Sequence, residues 1–131
     1  MAVSVADVHR AWVDVLPFMQ RIADSAPDLT LPDLWRGLRS GDFELWMAGE
    51  ADGAIEAAAI TRLREWDGGV VAFVIGVASN DMRRWQQIIP EWRAALKARG
   101  AHKIIIEGRK GWQRVFPEAT VLRQIFEVEI S

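Results

Sequence analysis

Apolar residues recur along the chain at two different periods, and the change of period divides it. In residues 4–25, Val5, Val8, Trp12, Val15, Met19 and Ile22 fall at steps of three and four, the spacing of one helix face. Ser4 followed by Asp7 resembles a capping box at the start of that helix, and Pro17 predicts a kink or a division because it removes an internal hydrogen bond. A second, shorter helix follows in TLPDLWRGLRSG, with Thr30 as N-cap, Pro32 in its first turn and Gly41 at its end.

Beyond Gly41 the period falls to two. FELWMA, residues 43–48, alternates Phe43, Leu45 and Met47 with Glu44, Trp46 and Ala48, and GEADG supplies a hairpin turn. Residues 54–66 read as a long strand in which Ile60 and Leu63 fall out of strict phase, as a bulge between them would produce. After Asp67-Gly68-Gly69 the run VVAFVIGVA is apolar on both faces, the composition of a central strand. Between Asp81 and Arg99 the helical spacing returns with Met82, Trp85, Ile89, Trp92 and Leu96; Pro90 predicts two segments and Gly100 an end. HKIIIE then reads as a buried strand parallel to residues 70–78, residues 109–116 as a short helix with Trp112 and Phe116 inward, and residues 121–130 as a closing, alternating strand with an exposed edge.

The predicted order is α-α-β-β-β-α-β-α-β, an α/β (α+β) fold with a mixed, mostly antiparallel sheet and one parallel βαβ crossover. Its 131 residues suit one domain spanning 1–131. Without cysteine there is no disulfide, thiolate metal site or cysteine nucleophile, and with only His9 and His102 as imidazoles no metal site is expected. No apolar run approaches the roughly 18–20 residues that span a bilayer, and the N-terminus lacks a signal-peptide pattern, so a cytoplasmic protein is expected. The net charge of −2 hides an asymmetry: residues 1–80 carry six arginines against twelve acids, whereas residues 81–131 carry ten Lys and Arg against six acids. That basic half suits an anionic small molecule or an acidic protein partner, or is simply a solvated face. The aromatic residues do not interleave with the basic ones, which argues against nucleic acid.

The element order resembles that of the GNAT superfamily of N-acyltransferases, with two early helices, an antiparallel meander and a βαβ crossover; the superfamily's first strand is missing or reduced. LWRGLRSGDFELWMA, GAHKIIIEGRKGW and the FP dipeptide are also similar to small GNAT-like proteins of phages and prophages. The resemblance implies an acyl-coenzyme A entering where strands 70–78 and 102–107 splay, with its pyrophosphate at the N-terminus of the next helix. Free amides and the helix dipole make such a terminus an anion site. The implied cofactor-binding positions are Ala78, Ser79, Asn80, Arg83 and Arg84 on one rim, with Arg109 and Lys110 on the other. Glu107, ending the second parallel strand, is the candidate general base. It also fits a strand-end carboxylate paired with Arg109 or Lys110, and His102 a solvated strand start.

Two departures stand against catalysis. The superfamily loop usually reads Gln or Arg, two residues, Gly, one residue, then Gly or Ala, whereas ASNDMRR has no glycine and sets Asp81 where a diphosphate would sit. Many members also use a tyrosine to protonate the leaving thiolate, and this chain has none. Three readings follow: a GNAT-like domain degenerate for acyl transfer and acting as a binding or structural module, an active acetyl-CoA-dependent N-acyltransferase, or another α/β domain of coincident order. Seven tryptophans could suggest a stacking platform, but Trp12, Trp85 and Trp92 lie on buried helix stripes. Trp46 and Trp66 are expected to cap the sheet or join an interface, and Trp112 to flank the crevice.

Overall fold

The computed structural model of the chain describes residues 2–3, 7–26, 28–49, 53–106, 116–120 and 128–130. Its elements run β1 (Ala2–Val3), α1 (Val8–Ser25), α2 (Leu31–Ser40), β2 (Glu44–Gly49), β3 (Ile55–Trp66), β4 (Gly69–Ser79), α3 (Met82–Ala98) and β5 (Ala101–Ile106). The five strands are ordered β1-β2-β3-β4-β5. The first four are antiparallel neighbours, and β4 and β5 are parallel, paired from Val70–Ala101 to Val74–Ile106. The mixed α/β fold with its βαβ crossover is therefore present, and the reduced first strand is the two-residue β1.

The helices start and stop where local chemistry dictates. Thr30 accepts the amide of Asp33 and Asp33 accepts the amide of Thr30, a complete capping box, and α2 ends at Gly41 in the left-handed conformation with φ 82°. α1 begins at Val8 with Asp7 as N-cap, later than the expected start at Ser4, which lies outside the described residues together with Val5. Neither internal proline divides its helix: α1 runs through Pro17 and α3 through Pro90. Both prolines, and the residues four before them, Val13 and Gln86, are exposed, so water can satisfy the carbonyl left without a donor. Buried side chains on both sides of each proline, Val15 and Phe18 in α1 and Ile89 and Trp92 in α3, hold the two halves to the sheet.

The sheet is covered on both faces. α1 and α2 pack Val15, Met19, Ile22, Leu34 and Leu38 against Phe43, Leu45, Ala58, Ile60 and Ala78. On the opposite face α3 packs Trp85, Ile89, Trp92 and Leu96 against Trp46, Ala57, Ala59, Ala72 and Val74, with Phe116 in the same cluster. The inward Phe116 agrees with expectation, whereas Trp112 and the rest of the expected short helix, 109–115, lie outside the described residues. Trp46 corrects the reading of it as a cap or interface residue. It is 4 % exposed, and its Nε1 donates to the buried hydroxyl of Thr61 at 2.7 Å.

The expected phase slip lies at Ile60, but the extra residue is in the partner strand. Ile60 pairs with Gly76 and Thr61 with Val74, which leaves Ile75 of β4 unpaired in the register. Ile75 turns toward the α1/α2 cluster, and the following Gly76 lets α1 approach so closely that a Cβ there would meet Ile22 Cγ2 at 2.4 Å. Parallel pairing with β5 covers Val70–Val74, on the near side of this bulge. Of the expected closing strand, residues 121–127 lie outside the described residues, and 128–130 are irregular rather than strand.

Candidate functional site

β4 delivers Ala78 and Ser79 to the end of the central strand, and α3 leaves from there two residues later. Ala78 and Ser79 are buried, whereas Asn80, Asp81 and Arg83 are exposed. The structure thus brings Ala78, Ser79, Asn80 and Arg83 together in one short turn at the helix N-terminus. The side chain of Arg84, and Glu107, Arg109 and Lys110 entirely, lie outside the described residues, so the opposite rim and the candidate base have no described geometry.

Three amides of this turn, those of Asn80, Asp81 and Arg83, are already engaged. Asn80 N–H donates to the carbonyl of Glu56 on β3 at 2.9 Å, and Asp81 N–H donates to Ser79 Oγ at 3.2 Å. The Ser79 hydroxyl in turn donates to the Asp81 carbonyl at 2.8 Å. Asp81 is the N-cap of α3, and its Oδ1 accepts the Arg83 amide at 2.9 Å. A carboxylate capping its own helix supplies the negative charge that the helix dipole and first-turn amides attract. A diphosphate at this end would have to displace Asp81 and overcome its charge. Residues 79–83 do not fit that group.

One residue of this turn escaped sequence reasoning. Arg21, on α1, donates from Nη2 to the Ser79 carbonyl at 2.8 Å and from Nη1 to Asn80 Oδ1 at 3.4 Å, with its guanidinium 6.0 Å from the centre of the Phe18 ring. Nothing in the periodicity of α1 marks it, because its partners are 58 and 59 residues away. The guanidinium binds backbone and amide oxygens, which holds the turn in place.

Other features of the surface lie elsewhere. A shallow apolar concavity of about 270 Å³ is lined by Trp12, Leu31, Pro32 and Trp35, where the Trp12 and Trp35 rings are 4.9 Å apart. A second of the same volume is lined by Asp14, Gly53, Ala54 and Ile55. Neither touches the β4–α3 turn. Among the described residues no group of three or more His, Asp or Glu side chains could hold a metal ion, and no helix is long and apolar enough to cross a membrane. His102 is exposed, with Nδ1 2.7 Å from the Val70 carbonyl.

The sequence matches no protein-family profile and no curated protein. Solved structures do match its fold. An aminoglycoside acetyltransferase from an uncultured soil metagenomic sample, in complex with sisomicin, superimposes with TM-score 0.70 at 11 % identity, covering 100 % of this chain and 95 % of that one. The aminoglycoside 6'-N-acetyltransferase of Acinetobacter baumannii gives TM-score 0.68 at 14 % identity, covering 100 % and 97 %. A Trypanosoma brucei acetyltransferase gives 0.62 at 13 %, covering 98 % and 97 %. The fold is GNAT-like.

Proposed function

We propose that this GNAT-like domain is degenerate for acyl transfer and acts as a binding or structural module, in the phage or prophage setting that the likeness of its LWRGLRSGDFELWMA and GAHKIIIEGRKGW stretches implies. The observation that carries the reading is the self-capped turn: the amides of Asn80, Asp81 and Arg83 are taken by Glu56, Ser79 and Asp81. A diphosphate cradle needs such amides free and close, and needs no carboxylate between them. Arg83, exposed beside this turn, attracts an anion without the fixed cradle that backbone amides would give. The missing tyrosine points the same way.

Thermal melting with acetyl-coenzyme A is the direct test. A ligand at 100 times its dissociation constant stabilises the native state by about 2.7 kcal/mol, a shift of several degrees in a domain of this size. The expected result is no shift at millimolar acetyl-coenzyme A. A shift of several degrees, abolished by Arg83→Ala with Arg84→Ala, would overturn the proposal and favour the active N-acyltransferase that the acetyltransferase likeness motivates.

A further inference from the structure

α2 carries one ridge of side chains at four-residue steps, Leu31, Trp35 and Arg39. Leu31 and Trp35, with Pro32 beside them and Trp12 from α1, line the shallow concavity of about 270 Å³. Trp12 and Trp35 are half-buried, and their rings, 4.9 Å apart, are inclined at 60°, so the two indoles form an open wedge rather than a closed stack. Side chains of a helix lean toward its N-terminus, which carries Arg39 back over Trp35: its guanidinium lies 5.4 Å from that ring's centre. Arg39 is exposed and has no ion pair among the described residues, whereas Arg36 is taken by Asp33, itself held by Thr30. The concavity thus has apolar walls and one uncommitted cation at its border.

We propose that this concavity binds a small apolar carboxylate, with a ring or short hydrocarbon chain against Trp12, Leu31, Pro32 and Trp35 and its carboxylate on Arg39. The lining selects that chemistry. Its only polar side-chain groups are the two indole N–H donors, so a sugar, with many hydroxyls to bond, finds few partners. A cationic ligand is repelled by Arg39, which already takes a ring face of Trp35 that would hold it. A guanidinium stacked on an indole keeps its in-plane N–H donors free, and a carboxylate is the group that matches two of them. The volume lies below the roughly 300–1,000 Å³ of pockets for larger ligands, which limits the occupant to one ring or a few carbons, bound weakly. None of these residues belongs to the β4–α3 turn, so this site does not depend on what acetyl-coenzyme A does there.

Titration of the full chain with 3-phenylpropionate, followed by the tryptophan indole N–H resonances of isotope-labelled protein, tests this. Trp12→Phe and Trp35→Phe assign the two resonances. Saturable shifts of Trp12 and Trp35 are expected in the millimolar range, with the buried Trp46, Trp85 and Trp92 unmoved. 3-Phenylpropan-1-ol, which keeps the ring and chain without the charge, should bind about fivefold more weakly, the worth of an exposed ion pair, and Arg39→Gln should bring the acid down to the alcohol. Arg39 is exposed, so that variant keeps its fold, and the unmoved resonances verify it. No saturable shift of Trp12 and Trp35, an acid that binds no better than the alcohol, or an Arg39→Gln protein that holds the acid as well as the parent overturns the proposal. So does 3-phenylpropylamine binding more tightly than the acid, which would make the wedge a site for cations.

Discussion

On its α3 side the sheet is covered from Ala57 and Trp46 out to Ala101 and Ile104, whereas among the described residues the α1/α2 cluster reaches no further toward the hairpin than Phe43 and Ile60. The difference lies in the helices. α3 carries one continuous stripe from Trp85 to Leu96 and follows the parallel pair it connects, while α1 and α2 are both gathered at the bulged end, where Gly76 admits Ile22. The α1/α2 cluster thus gathers at the β4–α3 turn, while toward the hairpin the same face holds the buried Val71 beside the half-buried Phe73 and the half-exposed Trp66. Helix placement, more than strand sequence, therefore decides which strand positions each of these two clusters buries.

The largest expected break between the two faces comes from truncation. Leu96→Ala, at a position 1 % exposed, should cost about 2–5 kcal/mol in chemical denaturation, through lost burial and a residual cavity. Phe73→Ala, at a half-buried position against Trp66, should cost less, about 1–2 kcal/mol. Equal losses would mean that Phe73 is packed as tightly as the α3 core.

A smaller effect separates the tryptophans within the covered face. Trp46→Phe leaves the fully buried Thr61 hydroxyl without its partner, a loss of about 1–3 kcal/mol. The indole N–H groups of Trp85 and Trp92, whose rings are 5.1 Å apart, are buried with no partner among the described residues. Trp92→Phe should therefore stay within about 1 kcal/mol of the parent, since it removes an unsatisfied donor. A loss as large as that of Trp46→Phe would show that a water or other acceptor is bound beside Trp92.

The smallest effect is electrostatic and lies on the outer surface of α2. The backbone amide and hydroxyl of Thr30, and then Arg36, hold the Asp33 carboxyl below its ordinary value. A carboxylate lowered in the folded state contributes stability that is complete above its unfolded value, near 3.8, and is lost as the pH falls through the lower folded one. Nuclear magnetic resonance titration should find Asp33 protonating below the ordinary value of 3.8, and Asp33→Asn should flatten stability over that acid range. An ordinary midpoint for Asp33 would show that the box does not persist in solution.

Much of the fold was legible in local chemistry. Thr30, Gly41 and Gly100 marked helix ends because caps and left-handed turns depend on a few adjacent residues, and Gly100 takes φ 93° as its position requires. The parallel pair followed from a strand, a helix and a strand in order. Residues whose role depends on distant partners were not legible: Arg21 in the β4–α3 turn, Ile75 carrying the bulge, and Trp46, which reads as a strand-surface residue until α3 covers it. The prolines misled for a related reason, since their tolerance depends on which side of the helix meets water. Of the candidate site, the missing glycines were visible in ASNDMRR, but the engagement of its amides required Glu56 from another strand.

The contact from Arg21 to Ser79 also orders events in time. α1 can find its place only after the strand carrying Ser79 has been made, 58 residues later. At about 5–20 residues per second, that is a delay of roughly 3–12 s during which Val15, Met19 and Ile22 of the nascent chain lack the central strand that completes their cluster. The N-terminal helices are synthesised before the strands they cover, so a growing chain of this protein presents an apolar helix face early and relies on the ribosome's surroundings to keep it from sticking.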